Sequence, residues 1–176
     1  MISKTNLSIV SVVILIISGC GVYSFTGASI SPDVKTISIQ YIYNDAGNGP
    51  PSLQQTFTEK IRDYYTQNTS LEFVKNNGDL QIEGLITGYV DRPVTVTASG
   101  NPNQFDAATA QRLTITVKVS YANLKDESFD FQNKQFLFYA DYNPASTTLT
   151  AEEGELIEII TDQIIVDIFN ATVANW

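Results

Sequence analysis

Between residues 113 and 121 the chain alternates without interruption: Leu113, Ile115, Val117, Val119 and Tyr121 are apolar, while Thr114, Thr116, Lys118 and Ser120 are polar. A period of two over this length predicts a strand with one face buried and the other meeting water or a polar partner. Such a strand needs neighbouring strands and an apolar layer over one side of the sheet.

The rest of the sequence supplies both. Val34 to Tyr43 reads as a strand with Ile37, Ile39 and Tyr41 on the core face and Ser38 and Gln40 on the other. Asn44 to Pro51, with Gly47, Gly49 and two prolines, ends it. Leu53, Phe57, Ile61 and Tyr64 recur at helical spacing to about Gln67, and Ser52 with Gln55 has the spacing of a capping box. After a short apolar run, Leu71 to Val74, and a turn at Asn76-Asn77-Gly78, the residues Leu80, Ile82, Ile86 and Val90 mark a second long strand. Gly84 and Gly88 on its apolar face are expected to admit a close-packed helix.

Residues 94 to 111 are rich in Thr, Ala, Asn and Gly and predict a loop, with a strand extension at Val94 to Thr97. In Phe129 to Tyr142 the aromatic positions change phase, from Phe129 and Phe131 to Phe136 and Phe138, which calls for a bulge near Asn133-Lys134. A last helix runs from Thr150, paired with Glu153 as a second capping box, to about Asn170. Glu152, Glu153 and Glu155 crowd its first turns, where the helix dipole favours negative charge. Its apolar residues cover far more than one stripe, so it should pack on the sheet and on something else. The order β-α-β-β-β-α predicts an α+β two-layer sandwich, with two helices on one face of a four-stranded mixed sheet.

Packing alone must hold this fold, because the only cysteine, Cys20, leaves no intrachain disulfide to form. Cys20 ends a segment with Lys4 before an uncharged run from Leu7 to Ile17, then Ser18 and Gly19. That run is too short to cross a hydrocarbon core as a helix, which takes about 20 residues. Residues 1–19 thus read as a cleaved signal peptide, 20–33 as a tether and 34–176 as a single domain. Losing Lys4 and no acid takes the net charge from -9 to -10. Nucleic acid is an improbable partner for so acidic a chain.

The absence of histidine removes the commonest general base and metal ligand. No catalytic residue, metal site or cofactor is expected. The acids lie at a helix start, in turns (Asp79, Asp91, Asp126, Glu127) or on a helix face (Glu158, Asp162), as solvated charges do; Asn76-Asn77-Gly78-Asp79 is too short for a calcium loop. Arg92, Arg112 and Lys118 could form a cationic patch beside the 94–111 loop, suited to phosphate or carboxylate groups of a glycolipid, or could be ordinary solubilising charges. Tyr23, Tyr89, Tyr121, Tyr139 and Tyr142 read as packing residues with some interface anchors among them.

Ile17-Ser18-Gly19-Cys20 resembles the bacterial lipobox, which implies diacylation of the Cys20 thiol, cleavage before it and acylation of the new amine. Two or more acyl chains hold a protein stably on a membrane. The run Cys20-Gly21-Val22-Tyr23-Ser24-Phe25-Thr26-Gly27 resembles the opening of the lipopolysaccharide-assembly lipoprotein family, LptE, as do the element order and mature length. That resemblance implies a non-enzymatic lipoprotein on the periplasmic side of the outer membrane. It would plug a β-barrel translocon of the LptD type and help it deliver lipopolysaccharide. Two rivals remain open: an accessory lipoprotein of another export or secretion system, and a glycan hydrolase using a carboxylate pair.

Overall fold

The computed structural model describes residues 30–97 and 107–174. The signal segment, Cys20, Tyr23, the opening run to Gly27 and the centre of the 94–111 segment lie outside them. Among the described residues, six strands and two long helices follow in order: β1 (Thr36–Ile39), β2 (Tyr43–Asn44), α1 (Leu53–Asn68), β3 (Glu72–Phe73), β4 (Leu80–Thr97), β5 (Ala107–Asn123), β6 (Phe131–Tyr142) and α2 (Leu149–Thr172). The sheet runs β3-β1-β4-β5-β6, with β2 also on β4. Strand β1 is parallel to β3 and β4, and β5 is antiparallel to both of its neighbours, β4 and β6.

The expected α+β sandwich on a mixed sheet is therefore present, but with more than four strands. The run Leu71 to Val74 contributes the extra edge strand β3, whose register pairs Thr36 with Glu72. The first strand is divided in two. Gln40 N still donates to Ile82 O (2.9 Å), and then the chain steps out of the ladder. Ile42, fully buried, takes the inward place expected of Tyr41. Helix α1 supplies the partners lost at the break: Thr58 Oγ1 accepts from Ile42 N (3.0 Å), and Arg62 Nη2 donates to Ile39 O (2.7 Å).

A second phase change lies in β4, where the register with β5 shifts between Ile86 and Gly88. Leu80, Ile82 and Ile86 face the core; beyond the bulge Tyr89 is buried, and Val90, expected inside, is 36% exposed. The bulge expected at Asn133-Lys134 is present. Asn133 has φ 51°, its N–H donates to Ser120 Oγ (3.1 Å), and the β5–β6 register shifts between Val119 and Tyr121. Asparagine is among the residues that tolerate this left-handed conformation.

Gly84 and Gly88 make room for a strand, not a helix. A Cβ on Gly84 would come within 2.8 Å of Lys118 O, and one on Gly88 within 3.1 Å of Thr116 Cβ, both on β5. The strand extension expected at Val94 to Thr97 is present as the end of β4, and pairing reaches further than expected on the other flank, where β5 begins at Ala107.

Both helices present an apolar face to one side of the sheet. Leu53, Phe57, Ile61 and Tyr65 form a buried i, i+4 stripe on α1, and Ile160, Ile164 and Ile168 a similar one on α2. Complete burial of one such side chain stabilises the fold by roughly 1.5–3 kcal/mol. The second contact of α2 is α1: the Phe169 ring lies 5.1 Å from both Tyr64 and Tyr65, edge to face, and Lys60 Nζ meets Asp162 Oδ1 at 2.6 Å.

Neither capping box forms. Ser52 makes no side-chain cap, and Gln55 turns along the helix to Glu59 (2.9 Å). Helix α2 starts at Leu149 after Thr148, and Glu153 accepts from the Tyr89 hydroxyl at 2.5 Å. Thus one of the acids placed near the helix start for its dipole is drawn into a bond with the sheet.

Candidate functional site

With the helices on one side, the even residues of β5 from Arg112 to Ser120 project from the open side of the sheet. Two of these cross-strand rows carry the expected basic residues. Arg92, Arg112 and Asp141 are successive partners across β4, β5 and β6, and Leu85, Lys118 and Gln135 form another such row. The structure therefore brings Arg92 and Arg112 together and keeps Lys118 apart: six residues along a strand is about 20 Å.

The two arginines differ in what they already hold. The Arg112 guanidinium donates to both oxygens of Asp141 (2.7 and 2.8 Å) and lies 3.6 Å above the centre of the Tyr139 ring. The hydrogen bond to Asp141 raises the Arg112 pKa, and the same bond holds the Asp141 carboxyl below its usual value. Asp141 also offsets the repulsion that paired arginines on adjacent strands would otherwise feel. Arg92 is exposed and has no side-chain partner among the described residues.

Lys118 stands at a different feature. A concavity of about 380 Å³ lies on the open side between β2, β4 and β5, walled by Tyr41, Tyr43, Glu83, Leu85 and Lys118. A second, of similar volume, adjoins it toward the Asn76-Asn77-Gly78 turn and is lined by Ser38, Asn76, Asn77, Gln81 and Gln132; Gln40, Glu83 and Ser120 border both. Together they form a groove across the sheet. Tyr43 is 60% exposed and packs edge to face on Tyr41, with ring centres 4.9 Å apart. Lys118 and Glu83 are diagonal neighbours, yet neither side chain forms an ion pair or hydrogen bond with a described residue.

The sequence pattern alone did not single out this groove. Tyr41 counted as a core residue while the first strand was taken as continuous, and Gln40 and Glu83 looked like ordinary outward strand residues. The only available signal was the polar run Asn76-Asn77-Gly78 beside Gln81 and Glu83.

The remaining tyrosines are packing residues, two of which also bond a carboxylate on another element. Tyr89 donates to Glu153, and Tyr142 to Asp91 Oδ2 at 2.9 Å. Burial, followed by these carboxylates, raises both phenol pKa values. Burial and the nearby Asp130 carboxylate push Tyr121 up to about 12. Among the described residues no group of His, Cys, Asp or Glu could hold a metal ion, and no helix is long and apolar enough to cross a membrane.

This domain, β1 to α2, is what comparison with known families recognises: the sequence model of the family described as "Lipopolysaccharide-assembly", LptE, matches residues 34–172. The chain belongs to the LptE family. Curated proteins give no sequence match. Solved structures similar to this LptE-family chain include a hypothetical protein from Chlamydia trachomatis, 11% identical, with TM-score 0.50 over 81% of this chain and 99% of that one. Another is a neuraminyllactose-binding hemagglutinin homolog from Helicobacter pylori, 8% identical, with TM-score 0.50 over 84% and 90%. A rare lipoprotein B from Shewanella oneidensis is 16% identical, with TM-score 0.42 over 78% and 90%. At such identities the first two likenesses speak to the fold alone.

Proposed function

We propose that this LptE-family protein is an outer-membrane lipoprotein that binds a β-barrel translocon of the LptD type and assists the assembly and export of lipopolysaccharide, without catalysing a reaction. The observation that carries the reading is the family match, which spans the domain from β1 to the last residue of α2. A polar barrel lumen would meet Thr114, Thr116, Lys118 and Gln135 on the uncovered side of this sheet, with Leu85, Val90 and Leu137 exposed among them.

In this reading the signal peptide is removed, Cys20 carries the acyl chains, and the domain faces the periplasm. A tether of roughly a dozen residues spans at most about 40 Å, which keeps the domain beside the membrane. Arg92, Arg112 and Lys118 contact anionic groups of lipopolysaccharide, Arg92 with its charge free and Arg112 in competition with Asp141.

The test is affinity capture of the tagged, full-length chain from detergent-solubilised outer membranes. Recovery of a translocon-sized barrel is expected. Capture of a different secretion or export component would overturn the reading in favour of an accessory lipoprotein.

A further inference from the structure

We infer that the groove on the open side of the sheet, from Asn77 and Gln40 to Glu83, Lys118 and Tyr43, is a saccharide-binding site; the inference rests on the lipopolysaccharide-assembly reading and names the part of the ligand that this groove takes. The argument is one of chemistry. Sugar hydroxyls both donate and accept hydrogen bonds, and a carboxamide offers both functions within one planar group. Such groups line this groove. Asn76, Asn77, Gln81 and Gln132 border one half, Gln40 lies at the junction, and the Glu83 carboxylate and Ser120 hydroxyl are shared by the two halves.

Most of this polar capacity is unspent. Gln40 Nε2 makes only long contacts, 3.5 Å to Lys75 O and 3.4 Å to Asn76 Oδ1, and the side chains of Glu83 and Lys118 make no polar contact with a described residue. One free acceptor and one free donor, both charged, thus face the same cavity, and hydrogen bonds to charged groups are the stronger kind. The Tyr43 ring, held from the side by Tyr41, offers a flat apolar surface to the C–H face of a pyranose. The size is suitable as well: each half is about 380 Å³, within the range of small-ligand pockets.

Other occupants fit less well. An acyl chain would need an apolar lining, and the amide-bordered half has Ile82, Tyr121 and Ala122 as its only apolar members. A strand-adding peptide needs an open edge, whereas this groove lies over β4 and β5, in the interior of the sheet. A phosphate group alone would favour the Arg92 and Arg112 end, where two guanidinium groups adjoin.

The experiment is isothermal titration of the full-length lipidated chain in detergent micelles with core oligosaccharide released from lipopolysaccharide and freed of its lipid. Dephosphorylated oligosaccharide and inorganic phosphate are run in parallel. Saturable binding of both oligosaccharides is expected, undiminished by an excess of inorganic phosphate. Glu83→Ala and Tyr43→Ala, both at exposed positions, each weaken it about tenfold, the equivalent of one strong contact. Glu155→Ala, at an exposed position on α2 on the opposite side of the sheet, leaves it unchanged. Absence of saturable binding, loss on dephosphorylation, or binding indifferent to Glu83→Ala and Tyr43→Ala would overturn the inference. Circular dichroism of each variant verifies the fold, and barrel capture is measured on the same preparations. A variant that captures the barrel but not the sugar separates failure of the site from failure of the assembly reading.

Discussion

Asp79 is a single side chain on which the start of the domain depends. Its Oδ2 accepts from Lys35 N (2.9 Å), Thr36 N (3.0 Å) and Thr36 Oγ1 (3.0 Å), and Lys125 Nζ sits 3.2 Å from Oδ1. One carboxylate thereby holds the chain where it enters β1 to the turn before β4 and to the turn after β5. The bond from Lys35 N is the chief reason its pKa lies well below the usual carboxylate range, helped by Lys125 and Thr36. A depressed folded-state pKa contributes stability that is present above the unfolded value, about 3.9, and is lost as pH falls toward the folded value. Asp79→Asn should therefore lower the thermal midpoint at pH 7, and its deficit should shrink once the pH drops below about 4. Melting curves across that range measure it; a deficit independent of pH would mean that charge is not what matters at this position. At sequence level Asp79 was only one of several acids in turns, because its partners lie more than forty residues away.

At the scale of elements, the join between α1 and α2 shows what amphipathic spacing reveals and what it leaves out. The breadth of the apolar face on α2 announced a second contact, and α1 is that contact. It did not announce that the seam is closed by a buried polar pair, the Tyr65 hydroxyl and Thr172 Oγ1, 2.5 Å apart. Thr172 Oγ1 also lies within hydrogen-bonding distance of Ile168 O (3.0 Å) and Phe169 O (3.1 Å), so its proton has a partner whether or not Tyr65 is present. The phenol has no such alternative, and its burial pushes its pKa far up. Tyr65→Phe should thus cost about 1 kcal/mol, the net worth of one hydrogen bond, and Thr172→Val about 2 kcal/mol, since it strands a buried hydroxyl. Denaturant unfolding of the two variants gives the order, and a larger loss in Tyr65→Phe would contradict it. The capping boxes were misread for a related reason: the S/T-x-x-E/Q spacing records only what local partners could do, and Glu153 found a stronger one in Tyr89 on the sheet.

For the whole molecule, the reading separates a domain from its anchor, and the two should fail independently. Cys20→Ser should move the protein from the membrane pellet to the soluble fraction while its circular dichroism and unfolding midpoint stay unchanged, because the described residues from Val34 to Ala174 already build a closed core among themselves. Fractionation with a parallel melt tests this, and a folding defect in the released protein would show that the anchor belongs to the structure. What the sequence determined by itself was the set of layers: unbroken alternation and helical spacing are each imposed by burial on one side, so strands, helices and the class of fold could be read directly from them. Only the tertiary structure decided the phases. The step between β1 and β2 is held because the Thr58 and Arg62 side chains on α1 bond the backbone where the ladder breaks, and the added strand β3 forms because β1 offers it a parallel partner. That step and the bulge in β4 turn Tyr41 and Val90 out of the expected core, seat Ile42 and Tyr89 in it, and open the groove that the residue pattern alone did not contain.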